Sequence, residues 1–208
     1  LVLSGSNTFS GTTTVAAGRL TVASNGALGS SASGTIVQDG ATLALSGVDI
    51  AENISISGTG FNNAGALRST DGVNSISGTV TLLDDASIVN ESLLRLSGVD
   101  LGDNTLTLDS GFGTNFGGNG ISGTGDVVIT SNAGFIAGNS FTGDVTISSG
   151  RLVLFAGGAS TIDDNASVIV NSGGQLRIAQ DETIGSLTGS GMLSTDDAGG
   201  AATHTLTV

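Results

Sequence analysis

The sequence predicts an all-β chain coiled into a right-handed parallel β-helix of about 22 residues per coil. Three observations predict it. The block Asn7-Thr8-Phe9-Ser10-Gly11-Thr12-Thr13-Thr14-Val15-Ala16-Ala17-Gly18-Arg19-Leu20 returns, without a gap, as Asn139-Ser140-Phe141-Thr142-Gly143-Asp144-Val145-Thr146-Ile147-Ser148-Ser149-Gly150-Arg151-Leu152, 132 residues on. That offset equals six units of roughly 22 residues, a length suited to one solenoid coil. Ser-Gly echoes support the period: Gly58, Gly78, Gly123 and Gly189 lie 20, 45 and 66 residues apart in turn. Finally, Val, Ile, Leu and Ala come in runs of three to five bounded by Gly, Ser, Thr, Asn and Asp, which reads as many short strands.

The segments that read as strands are 12–15, 19–22, 35–37, 42–45, 54–56, 80–82, 94–96, 105–108, 127–129, 145–147, 151–154, 168–170, 175–178 and 205–208. No stretch carries an apolar stripe at helical spacing. Gaps of two to five residues also suit antiparallel hairpins. The long-range period favours a coil with three strands per turn instead, and the crossover rule favours the right hand. A second echo, Ser46-Gly47-Val48-Asp49-Ile50-Ala51-Glu52-Asn53 against Ser97-Gly98-Val99-Asp100-Leu101-Gly102-Asp103-Asn104, is offset by 51 residues, so coil length varies. Gly11 and Gly143 are expected in equivalent turns. Phe112, Phe135 and Phe155 are expected in one interior column, and Asn53 and Asn74 in a short ladder. The stretch 111–120 reads as a turn carrying Phe112 and Phe116 inward. About nine coils at ~4.8 Å give a rod of roughly 45 Å.

Composition bounds the function. The 208 residues include 35 Gly and no Pro, Cys, Trp, Tyr or Lys, with a net charge of −13. Such a surface repels nucleic acid and anionic membranes, so neither is expected as a partner. The absence of Cys excludes disulfides and a thiol nucleophile. A mean hydropathy of +0.31 argues against disorder despite the glycine. No apolar run approaches the ~20 residues of a membrane helix. No signal peptide is visible at Leu1, and both chain ends read as strand. With no linker in between, residues 1–208 are expected to be one continuous segment of a longer protein.

Residues 1–20 follow the pattern L-x-L-x-G-x-N-[ST]-[YF]-[ST]-G-x-T-x-[VI]-x-x-G-x-L, and residues 121–154 follow it again. The chain thereby resembles the passenger-associated repeat of bacterial autotransporters. Residues 65–82 and 184–191 resemble other passenger segments. The resemblance implies a β-helix exported to the surface of a Gram-negative-type cell, serving as a stalk, adhesin or aggregation factor. It implies partners among glycans, host or neighbouring-cell surfaces, or further copies of the chain. Phe9 and Phe141 stand where the family often has Tyr.

Parallel β-helices also house polysaccharide lyases and glycosidases, which makes the acidic pairs Asp84-Asp85, Asp163-Asp164, Asp181-Glu182 and Asp196-Asp197 candidates for acid–base dyads. Neighbours on a strand point to opposite faces, and the pairs recur at turn-to-strand junctions, which favours turn chemistry. His204 is the single histidine and reads as strand surface. Asp49 with Glu52, or Asp100 with Asp103, offers oxygen ligands for calcium, but the Gly-Gly-x-Gly-x-Asp repeat is absent and Gly117-Gly118-Asn119-Gly120 lacks its Asp. Arg19 and Arg151 recur at one repeat position and suit an acidic glycan or a surface ion pair. Thr12/Thr14, Thr105/Thr107 and Thr205/Thr207 are too scattered for an ice-binding face. No catalytic, cofactor or metal residue is assigned. The expected function is a non-enzymatic surface scaffold. A carbohydrate-active enzyme and a fibre-forming structural protein are the alternatives.

Overall fold

The chain forms a solenoid of about nine coils in which every strand pairing is parallel among the described residues. The computed structural model describes residues 1–110, 114–135, 138–155, 161–195 and 203–208, with backbone only at 114, 115, 117 and 118.

Three ladders run along the solenoid. Face A begins with Thr13–Val15, Thr35–Val37 and Ile54–Gly58, and its inner column runs Val15, Val37, Ile56, Leu82. Face B begins with Val2–Leu3, Gly18–Val22, Ala41–Ser46 and Leu67–Asp71. Its inner column is Leu20, Leu43, Leu67, Ile88, Leu108, Ile129, Ile147, Val170. Face C stacks Ile50, Ile76, Leu96, Phe116, Phe135, Leu154 and Ile178. Alternate residues point inward because the side-chain period of a strand is two. Register then places like on like, so each coil buries the apolar layer of its neighbour. The eight steps of face B from Leu20 to Gly189 average about 21 residues, close to the coil length read from the sequence.

The repeated blocks occupy different faces. Thr13–Val15 lies on face A, whereas its counterpart Val145–Ile147 lies on face B. Gly18–Val22 lies on face B, and its counterpart Gly150–Leu154 on face C. The offset of 132 residues is therefore six coils plus one face, and Gly11 and Gly143 are not in equivalent turns. The 51-residue echo behaves alike: Asp49 is on face C, and its counterpart Asp100 is on face A, two coils and one face further on. The Ser-Gly series is likewise split. Gly58 and Gly123 end face A strands, Gly78 leads into face A, and Gly189 ends a face B strand. The reason is that all three faces offer the same environment, an apolar column inside and solvent outside. A strand with its corner fits any of them.

Other expectations change as well. The interior aromatics form a cluster in which Phe116 and Phe135 stack on face C and Phe141 packs against Phe135 from face A, with ring centroids 5.7 and 6.1 Å apart and edge-to-face geometry. Phe155 is exposed, because Leu154 registers on Phe135 and the next residue must face outward. Phe112 lies outside the described residues. Thr114–Gly123 is a strand that turns the corner from face C to face A without a break, in place of the expected turn; Phe116 does point inward. Asn74–Asn90 similarly passes through all three faces as one extended strand.

Asn53 and Asn74 do not form a ladder. Asn53 is exposed and accepts from the Thr79 N–H at 2.9 Å. Asn74 is fully buried, accepts from the Val48 N–H at 3.0 Å, and donates to the Ser69 hydroxyl at 2.8 Å and the Asp71 carbonyl at 3.0 Å. It serves a buried polar patch where the inner column of face B continues from Val22 and Leu45 into Ser69, Asn90 and Ser110.

Candidate functional site

The acidic pairs do corner work. Asp85 accepts from the Thr105 N–H of the next coil at 2.7 Å, and Asp84 from the Asp85 N–H at 2.8 Å. Asp163 accepts from the Asn165 N–H at 2.9 Å, and Asp181 from the Thr205 N–H at 2.8 Å. Asp126 and Asp144 do the same for Asp144 and Ser167, both at 2.8 Å. Carboxylates and carboxamides thus close corners by taking up N–H groups that the ladder leaves over. Asp196-Asp197 lies outside the described residues.

Two glutamates turn inward at the corner between faces C and A, and composition did not single them out for this. Glu182 is 3 % exposed; its carboxylate accepts from the N–H groups of Thr161 at 3.0 Å and Ile162 at 2.8 Å and from the Thr161 hydroxyl at 3.2 Å. Glu52 is 4 % exposed and accepts from the Thr35 hydroxyl at 2.8 Å. Burial pushes its pKa above the ordinary 4.5, and the Thr35 hydrogen bond opposes that only in part. A cavity of about 180 Å³ lies beside it, lined by Asn25, Leu28, Ser31 and Ile50. Asp49 is exposed and holds the Ser75 hydroxyl, so it does not converge with buried Glu52. Asp100 accepts from the Gly102 N–H at 3.1 Å in its own turn. No cluster of three metal-ligating side chains occurs among the described residues.

His204 is half-buried, with Nδ1 3.9 Å from Asp181 Oδ1. Arg19 and Arg151 are both exposed, but the shift of the repeat puts Arg19 on face B and Arg151 on face C. Arg19 and Arg151 therefore do not make one site.

Arg151 stands in a groove of about 380 Å³ on the outside of face C. Register stacks Asn132, Arg151, Gln175 and Met192 along the solenoid axis. Gly150, Gly173, Gly174 and Gly191 form the rim at the corner from face B. The glycine is obligatory at 150: its φ is +73°, and a Cβ there would lie 2.0 Å from the Ser131 carbonyl oxygen. Arg151 was visible in the sequence, as part of the repeat. Its companions belong to three other coils and emerge only from the register.

The family model of the passenger-associated-transport-repeat matches residues 1–22 and 122–154. Comparison with curated proteins found no match, and neither did comparison with solved structures. The two matched stretches each run across consecutive faces of the solenoid, and they are passenger-associated transport repeats, the repeat of autotransporter passengers.

Proposed function

We propose that this chain is a non-enzymatic stalk or adhesin segment of a protein displayed on the surface of a Gram-negative-type cell. The observation that carries the reading is the pair of passenger-associated transport repeats within a parallel β-solenoid. The acidic pairs support it, since those described are spent on corner hydrogen bonds. Outward Ser, Thr, Asn and Asp side chains repeat along the axis. They suit weak contacts with glycans or neighbouring cells that gain strength when many copies act together.

The test compares the purified chain, free and clustered on beads, for retention on bacterial and epithelial cells. Retention of clustered chains far above that of free chains is the expected result. Absence of retention in both forms, or turnover of a polysaccharide by the chain, would overturn the reading.

A further inference from the structure

The groove over Arg151 is an acid-free, cationic stretch of an acidic chain. Four successive face C strands form it or flank it: Asn132–Phe135, Gly150–Leu154, Gly174–Ile178 and Met192–Ser194. None contains Asp or Glu, and neither do the corners that feed them, residues 130–131, 148–149, 171–173 and 190–191. The same strands carry Arg151 and Arg177, two of the five cationic side chains in a chain of net charge −13. Arg177 sits one coil on and two residues along from Arg151, on the same outward side. Among the described residues, the side chains of Asn132, Arg151 and Gln175 make no hydrogen bond to the protein.

We propose that this groove binds carboxylate-bearing sugar units of an acidic polysaccharide. The proposal deepens the surface-scaffold reading and rests on it. Arg151 presents a planar guanidinium that matches a carboxylate in bidentate geometry. Asn132 and Gln175 flank it one coil to either side, about 4.8 Å away along the ladder, and each offers both a donor and an acceptor to hydroxyl groups. Met192 gives the end of the groove an exposed apolar surface for a ring face. The glycine rim leaves the groove open along its length, so it admits a chain rather than a single small molecule. Net negative charge selects among polyanions: a heavily sulfated chain is repelled more strongly by the rest of the surface than a uronate chain with one carboxylate per sugar, whose attraction to the local arginine is opposed less.

Biolayer interferometry of the whole chain against immobilised polygalacturonate, heparin, poly-glutamate and neutral dextran tests this, with Arg151→Ala, Arg151→Lys and Arg19→Ala. Arg19 is an exposed arginine on another face and serves as the control. Circular dichroism confirms that each variant folds. The expected result is polygalacturonate binding that weakens at least tenfold in Arg151→Ala, is partly kept by Arg151→Lys, is unchanged in Arg19→Ala, and falls with added salt. Absence of polygalacturonate binding, equal loss in Arg19→Ala, or tighter binding to heparin or poly-glutamate would overturn the proposal. Cell retention that survives Arg151→Ala would overturn this site while leaving the surface-scaffold reading intact.

Discussion

The Glu52 carboxylate lies inside the solenoid with one hydrogen-bond donor, the Thr35 hydroxyl at 2.8 Å. Glu182, at the same kind of corner near the other end of the solenoid, is held by two backbone N–H groups and a hydroxyl. Desolvation is therefore poorly offset at Glu52, and its pKa rises above 4.5. The folded chain then keeps a proton that the unfolded chain gives up. Stability is fully present below the unfolded pKa and falls as pH rises through the higher folded pKa. Glu52→Gln should remove this dependence, raising Tm at pH 7 and leaving it unchanged near pH 3.5. Thermal melts across that range check it; a lower Tm for Glu52→Gln at pH 7 would show that the charged form is the one the fold holds.

Glu182→Ala should act in the opposite way. It strips the partners from the buried Thr161 and Ile162 N–H groups, at roughly 1–3 kcal/mol for each group left unsatisfied. Hydrogen exchange should speed up at those two amides before it does at the inner strands of face B. Unchanged exchange there would mean that water replaces the carboxylate at no cost.

A Cβ at Gly143 would lie 2.1 Å from the Gly125 carbonyl oxygen of the preceding coil. Gly143→Ala should therefore cost about 1–3 kcal/mol by forcing the coils apart. Urea melts check it. A neutral Gly143→Ala would show that the two coils do not approach this closely at the corner.

Leu20→Asp and Leu152→Asp should each unfold several coils, since both side chains are in the core and a buried, unpaired carboxylate costs several kcal/mol. Leu152 is fully buried and lies mid-solenoid, so it should be the worse of the two. His204→Ala should change Tm little: its contact with the exposed Asp181 spans 3.9 Å, and such surface pairs contribute about 0–1 kcal/mol. A large loss in His204→Ala would show that this corner matters more than its exposure suggests.

What the sequence determined by itself was local and periodic. The strands at Thr35–Val37, Val127–Ile129 and Val145–Ile147 have the limits their apolar alternation and turn residues dictate. The weaker strands Asn132–Phe135 and Ser186–Gly189 are not legible in the sequence because glycine and polar residues interrupt the alternation, and their neighbours in the ladder hold them extended. Parallel stacking and an approximate coil length were legible in the repeat, although its interval holds six coils and one face rather than six whole coils. Which face each block occupies did not, because three faces with the same apolar interior leave no local preference between them. That choice was made by the total length of chain in the intervening coils. It decided which residues meet: Phe116 with Phe135 and Phe141 inside, and Asn132, Arg151 and Gln175 outside. Contacts between coils are set by register, and register sums every insertion along the path, a quantity that no single segment carries.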